Sequence, residues 1–468
     1  MCTGGCRFRQ RMNKENFFEL INGKTIALCG IGRSHMPLAK LFTQKGASVT
    51  MRDRRSFETL REEGKELEKL GVRLVLGEDY LEDLCEDIVF RTPGMKYSLP
   101  QLQKAKSEGK IVTSELEVFF DICPCKIYAV TGSDGKTTTT TIISEFLRAE
   151  GYTVHLGGNI GKPLLPEIET ITETDTAVVE LSSFQLISMR RSPDVAVVTN
   201  LSPNHLDWHE DMGEYMEAKK NIFMHQNAFS RTVLNADNAS TVSFLPETRG
   251  EAMMFSRKKR VANGAWCEDG TVYVNSQKML KLSDIRIRGD HNVENYLAAI
   301  CAVYGAVSIE NMIKVAKNFD GVEHRMEFVR ELDGVKYYND SIATSPSRTA
   351  IGTLSLYEEK IILICGGYDK NIPYDPLGPV ICDKVKLLIL MGATAKKIEE
   401  AVQKSPNYKE SEISIIHVEN MAEAVLTVRA RAVDGDIVSL SPASAGFDMY
   451  ANFEERGKHF KKLVGELK

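Results

Sequence analysis

The residues Thr131-Gly132-Ser133-Asp134-Gly135-Lys136-Thr137-Thr138 form the part of the chain best suited to chemistry. The glycines let backbone N–H groups turn inward around phosphate oxygens, and the lysine directly after the second one offers a positive charge to the outer phosphates. The Thr137 hydroxyl is placed to ligate magnesium. Lys126-Ile-Tyr-Ala-Val130 reads as a buried strand and a helix is expected over about 139–149, which puts the loop at a helix N-terminus, where the backbone dipole favours anions. The spacing differs from the general phosphate-binding loop, because Val130 stands where that pattern has its first glycine.

Other reactive side chains close apolar runs. Thr176-Ala-Val-Val-Glu180 ends in a carboxylate where a second acidic ligand for magnesium is expected, although an acid at a strand end can equally be structural. Asp194-Val-Ala-Val-Val-Thr-Asn200 leads into Leu201-Ser-Pro-Asn204-His205-Leu-Asp207, and a histidine just beyond a parallel strand stands where such sheets hold ligands. Lys219 and Lys220 lie on an expected helix from Met212 to Met224, and their spacing alone reads as a solvated face. In Gly289-Asp-His291-Asn292-Val-Glu-Asn295 the asparagines either cap a helix or read an adenine edge. Gly30-Ile-Gly32 follows the strand Thr25–Cys29, and Asp53 closes the next one, the outline of a dinucleotide site in which His35 replaces the third glycine. A nicotinamide-dependent oxidoreductase is therefore a rival class, one that leaves the Lys136 loop without a purpose.

The elements that must hold these groups are short apolar strands alternating with helical stretches, the pattern of parallel α/β sheets. A length of 468 residues, at roughly 150 per domain, predicts three domains. They are placed at 1–114, with 1–11 an appendage and Met12 the expected native start, then 115–320 and 321–468. The stretch 232–287 has weaker periodicity and predicts a small antiparallel sheet. With 43% apolar residues the chain can bury real cores, and a net charge of -5 gives no field that would hold nucleic acid. No apolar run reaches the ~18 residues that span a bilayer. The 10 cysteines, mostly single within apolar strands, suit a reducing compartment, so a cytoplasmic protein with no membrane partner is expected.

The loop 131–137, the run Glu180-Leu-Ser182-Ser-Phe-Gln185, Asn204-His205-Leu-Asp207, Ala218-Lys219 and Gly321-Val-Glu-His324-Arg325 together resemble the Mur ligase family, in particular its D-glutamate-adding branch. The resemblance extends over nearly everything from about Lys24 onward. It implies an α/β fold of three domains: an N-terminal Rossmann-like UDP-binding domain, a central P-loop ATPase-like domain and a C-terminal Rossmann-like domain. It further implies a monomeric ligase that uses ATP and magnesium to join D-glutamate to UDP-N-acetylmuramoyl-L-alanine through an acyl phosphate.

By that match Lys136, Glu180, His205 and Lys219 are catalytic, and Thr137, Glu180, His205 and a carbamylated Lys219 hold metal. ATP falls to Gly132, Ser133, Asp134, Gly135, Lys136, Thr137, Thr138, Asn292, Asn295, Arg325 and Asp340. The UDP substrate falls to Ser34, Asp53, Arg54, Gly94, Asn159, Ser182 and Gln185, and glutamate to Thr344, Lys370, Ser444 and Phe453. The chain departs from the family pattern at Arg54, where threonine is frequent, at Ile342, where lysine is usual, and at Gly446, where serine is usual. A ligase for another amino acid and a nucleotide-binding inactive homologue are the alternatives within this resemblance.

Overall fold

The computed structural model describes residues 12–32, 34–202, 209–287, 289–370 and 372–468. The chain divides into two compact units, Met1–Asn318 and Phe319–Lys468. In the first unit β1 (Thr25–Cys29), β2 (Ser48–Asp53), β3 (Arg73–Leu76), β4 (Ile88–Arg91) and β5 (Ile111–Thr113) make a fully parallel sheet in the order β3-β2-β1-β4-β5. The strand order reverses between β1 and β4, so the turn at Gly30 opens on the crevice where such sheets bind ligands.

The same unit holds a second sheet of β6 (Lys126–Thr131), β7 (Val154–Gly158), β8 (Thr176–Glu180), β9 (Val195–Val198), β10 (Arg231–Asn235), β11 (Glu251–Ser256), β12 (Gly264–Glu268), β13 (Thr271–Val274) and β14 (Gln277–Lys281). The order is β14-β13-β12-β11-β10-β9-β6-β8-β7. Every residue of β8 and β9 is buried, as expected of parallel strands covered on both faces. Because β6 lies between β8 and β9, the carboxyl ends of those two strands flank the phosphate loop.

The antiparallel sheet expected at 232–287 does not form separately. β10, β11 and β12 continue the parallel sheet, and only β13 and β14 run antiparallel at its edge. The reason lies in two tight turns, Asp269-Gly270 (φ 47° and 69°) and Asn275-Ser276 (φ 46° and 70°). Two-residue turns with positive φ reverse a strand, whereas a parallel neighbour requires a long crossover.

The second unit carries β15 (Glu327–Leu332), β16 (Val335–Asn339), β17 (Ile361–Gly366), β18 (Val385–Met391), β19 (Ser414–His417) and β20 (Ile437–Leu440), ordered β15-β16-β20-β17-β18-β19. All pairings are parallel except the β15–β16 hairpin. Among the described residues no helix is long and apolar enough to cross a membrane.

The first two sheets share one apolar cluster, in which Phe17, Phe42 and Phe90 belong with Leu165, Ile168, Ile171 and Leu186. The helix Glu115–Ile122 joins the two sheets and is capped by Ser114, whose side chain accepts from the Glu117 N–H. Glu115 is buried, and its carboxylate accepts the Leu164 and Leu165 N–H groups at 2.9 and 2.8 Å. Burial raises its pKa to about 7, against the lowering effect of those two bonds.

Glu115 therefore supports folding fully below its unfolded value and loses that support as pH rises through about 7. Glu115→Gln keeps an acceptor for both N–H groups and removes the charge. Calorimetry should find Tm of this variant gaining on the unsubstituted chain between pH 5 and pH 8. The shift corresponds to on the order of 2–3 kcal/mol; a gap independent of pH would show that burial does not raise the Glu115 pKa.

Candidate active site

β6 ends at Thr131, and the helix Lys136–Glu150 begins directly after Gly135, earlier than the sequence reading placed it. The threonines stay helical because Thr140 and Thr141 donate back to the carbonyls of Lys136 and Thr137, both at 2.8 Å. Two glycines are required sterically. A Cβ on Gly132 (φ 150°) would strike Thr199 Oγ1, and one on Gly135 (φ 77°) would strike Asn295 Oδ1. The loop is tied to the β9 end by Ser133 N–H to Asn200 O and Asp134 N–H to Asn200 Oδ1, both 2.9 Å. Among the described residues no side chain caps the helix start, and the first turn of such a helix is where backbone N–H groups favour an anion. Lys136 Nζ folds back on the Gly132 and Ser133 carbonyls at 3.1 and 3.0 Å, and Thr137 is half-buried beside it.

Lys219 overturns the solvated-face reading. It is 2% exposed, and its Nζ donates to Thr131 Oγ1 at 3.0 Å and to Gly132 O at 2.9 Å, beneath the loop. Burial drives its pKa well below the ordinary lysine value and the Lys136 charge adds to this, while Glu180 and Asp134 oppose it. Lys220, by contrast, pairs with Glu217 and Glu247. Glu180 ends β8 and is 1% exposed. Its Oε1 accepts from Asn159 Nδ2 at 2.8 Å and, among the described residues, its Oε2 has no hydrogen-bond partner.

A buried carboxylate oxygen left unpaired beside a phosphate loop fits a hard cation, and the Thr137 hydroxyl is a second donor of the same kind. Among the described residues no group of three or more His, Cys, Asp or Glu side chains is placed to hold a metal. His205 lies outside the described residues.

Asn292 and Asn295 do not cap their helix. Asp290–Val303 starts after Gly289, and the two asparagines sit within it. Asn295 Oδ1 accepts from Thr139 Oγ1 at 3.2 Å and its Nδ2 donates to Asn292 Oδ1 at 3.2 Å, which ties this helix to the phosphate-loop helix. Ser182 and Gln185 form a capping box, the Gln185 Oε1 accepting both the N–H and the O–H of Ser182 at 2.8 Å.

At the first sheet's crevice, Asp53 accepts the Ile31 N–H at 2.7 Å and the Arg55 N–H at 2.9 Å, and pairs with the Arg55 guanidinium. Burial pushes its pKa up, but the bonds from Arg55 and Ile31 hold it below the ordinary value. A carboxylate so engaged is poorly placed to take the ribose hydroxyls of a dinucleotide, which weakens the oxidoreductase alternative. Arg54 points outward to Glu78, Gly94 is exposed, and Ser34 opens its helix without a capping bond. Arg55 is the guanidinium over the crevice. The sequence offered only two adjacent arginines with nothing to separate them.

In the second unit, Lys370 Nζ reaches Thr344 O and Oγ1 at 3.3 and 3.4 Å, so two glutamate candidates come together. Burial lowers the Lys370 pKa, aided by the charges of Arg348 and Arg456. Arg456, which no sequence signal marked, is 1% exposed and donates to Ser341 and Ser444 carbonyls at 2.9 and 3.0 Å. Ser444 is buried with its hydroxyl between Tyr374 and Thr394. A Cβ on Gly446 would meet only ordinary contacts at 3.5 Å, so the missing serine side chain reflects no lack of space. Phe453 meets His324 edge-on at 6.0 Å. Arg325 lies in a tight turn between His324 and Met326, both with positive φ. Asp340 is buried and accepts from Thr353, Ser441 and the Met326 N–H.

Residues 130–303 match the Mur ligase middle domain, and 324–444 match the Mur ligase glutamate ligase domain. A UDP-N-acetylmuramoylalanine–D-glutamate ligase of Acetivibrio thermocellus is 51% identical over 459 residues, covering 97% of this chain and 98% of the relative. The enzyme of the same name from Clostridium acetobutylicum is 51% identical over 456 residues with the same coverage. Among solved structures, the UDP-N-acetylmuramate-alanine ligase of Thermotoga maritima is similar in fold at a TM-score of 0.57 and 18% identity, covering 95% of this chain and 100% of the other.

The Lys219 environment gives a pH signature. Its amine is uncharged in the folded chain and charged in the unfolded one across the window from its lowered value up to 10.5, so folding releases a proton and stability rises with pH there. In bicarbonate-free buffer, Lys219→Met should raise Tm most near pH 7 and progressively less toward pH 10. An equal gain at both would show that Lys219 is not desolvated.

Proposed function

The chain belongs to the Mur ligase family, and on that premise we propose that it joins D-glutamate to the carboxylate of UDP-N-acetylmuramoyl-L-alanine, with ATP as co-substrate, in peptidoglycan precursor synthesis. The observation that carries the reading is the buried arrangement of Lys219, Glu180 and the Lys136 loop at the ends of β6 and β8. A dinucleotide enzyme has no use for it.

A carboxylate is a poor electrophile, so its oxygen first attacks the γ-phosphorus of ATP, releasing ADP and leaving an acyl phosphate. The amine of D-glutamate then attacks the acyl carbon, inorganic phosphate departs, and the amine gives up its proton as the amide forms. Lys136 and the first-turn N–H groups stabilise charge on the transferring phosphoryl group. Asn159 holds one oxygen of Glu180, which aims the other. The low dielectric around Lys219 supplies the neutral amine that condenses with carbon dioxide, turning a cation into a carbamate anion. Thr137, Glu180, His205 and carbamylated Lys219 would hold magnesium, which when bound neutralises phosphate charge.

Within this reading Gly132–Thr138, Asn292, Asn295, Arg325 and Asp340 serve ATP. Ser34, Asp53, Arg54, Gly94, Asn159, Ser182 and Gln185 serve the UDP substrate, and Arg55 joins them. Thr344, Lys370, Ser444 and Phe453 serve D-glutamate. Functional domains at 1–114, 115–320 and 321–468, a monomeric state and a cytoplasmic location complete the proposal.

Phosphate release from ATP should require both UDP-N-acetylmuramoyl-L-alanine and D-glutamate, with L-glutamate and other amino acids inactive. Lys136→Ala should lower kcat by about 1,000-fold or more with an unchanged Tm. Turnover preserved in that variant would refute the phosphoryl-transfer role, and preference for another amino acid would keep the ligase and change its substrate.

A further inference from the structure

Ser183, His209 and Glu214 form a polar chain that the mechanism above does not use. His209 Nε2 lies 2.8 Å from Ser183 Oγ, and Nδ1 lies 3.0 Å from Glu214 Oε2. The ring is stacked on Phe184 with centroids 5.7 Å apart and meets Tyr215 edge-on at 5.4 Å. A Glu214 carboxylate only accepts, so Nδ1 donates to it, while Nε2 and the Ser183 hydroxyl share the second bond.

The order hydroxyl, imidazole, carboxylate is that of hydrolytic triads. Ser183 is 2% exposed, however, so no substrate carbonyl can reach its Oγ. The chain of bonds is better understood from what it joins. Ser183 begins the short helix that follows Glu180 and Leu181, and Glu214 sits in the first turn of Met212–Met224, the helix that carries Lys219. Glu214 Oε2 also accepts the Glu210 N–H at 2.9 Å, and Tyr215 OH is 2.9 Å from Ser133 Oγ in the phosphate loop. One imidazole thus staples the Lys219 helix to the segment leaving β8.

We propose that the Ser183–His209–Glu214 chain is a positioning relay, with His209 the positioning residue that fixes the Lys219 amine against the phosphate loop and the Glu180 strand end. The inference rests on the roles given above to Lys219 and Glu180, and not on the identity of the amino acid. Loss of either bond loosens the first turn of Met212–Met224, whose later part Asn221 still ties to the Leu186 and Ile187 carbonyls, and a misplacement of about 1 Å is costly to a reaction that depends on alignment.

The test uses His209→Phe, which keeps the stacking and removes both bonds, together with Ser183→Ala, their double variant and Glu214→Gln. Amine reactivity of Lys219 is read by mass-mapped acetylation with acetic anhydride, in the absence of substrates, alongside kcat and KM. His209→Phe should raise Lys219 labelling several-fold and lower kcat by about 10- to 100-fold, with KM for ATP little changed. Ser183→Ala should do the same in part, and the double variant should add little to His209→Phe, because the two share one interaction. Glu214→Gln, which keeps an acceptor for Nδ1–H, should stay within about threefold. Leu234→Ala, a core truncation in β10, serves as a control for lost stability. Unchanged Lys219 labelling in His209→Phe, or a control of equal Tm loss that matches it in labelling and kcat, would overturn the relay. Labelling is read without turnover, so failure of the relay and failure of the ligase assignment remain distinct outcomes.

Discussion

The desolvated amine of Lys219 is the constraint around which the central sheet is arranged. An ammonium taken out of water costs several kcal/mol, so a lysine buried here sheds its proton instead of holding its charge. The surroundings pull both ways: the Thr131 hydroxyl, the Gly132 carbonyl, the Tyr215 ring face and the charges of Glu180 and Asp134 favour the ammonium, but burial and the Lys136 charge lower its pKa well below the ordinary value. Gly132, whose carbonyl accepts from the amine, also lets the loop close against the β9 end, since a Cβ there would collide with Thr199 Oγ1.

The same site leaves a carboxylate oxygen of Glu180 unpaired in the interior, which a stable core would ordinarily avoid. A desolvated amine and a carboxylate oxygen without a partner among the described residues, side by side at one loop, are local departures from a stable core of the kind concentrated at functional sites. In the second unit the economy is similar. Lys370 sits against Thr344 in the field of Arg348 and Arg456, whose charges add to burial in lowering its pKa, while Asp448 acts on Arg456 from the other side.

Several polar residues singled out by type turn out to be occupied. Asp53 braces the Gly30 turn, Ser182 and Gln185 cap one another, Asp340 serves Thr353 and Ser441, and Ser444 lies between two hydroxyls. These side chains shape their pockets through the backbone they hold. The groups with bonding capacity to spare, or with charge crowded by like charge, are fewer and are the better guides to where substrates bind.

Local signals carried much of this into the sequence. The phosphate loop between strand and helix, the helix Met212–Met224 and the alternation behind three mainly parallel sheets were legible because each depends on neighbours close in the chain. The parallel course of β10 to β12 was not, because the pairing of strands is settled by crossovers and only the two turns that reverse the edge are written locally. Lys219 shows the limit most clearly. Beside Lys220 on a charged helix it has the pattern of a solvated residue, and its burial depends on β6 and the loop, some ninety positions away. Arg55, Arg456 and His209 were invisible for the same reason. The residue types were fixed by the sequence, but solvent access and partners are properties of the packed whole, and those determine which charge is kept, which is shed and which side chain is left waiting for a ligand.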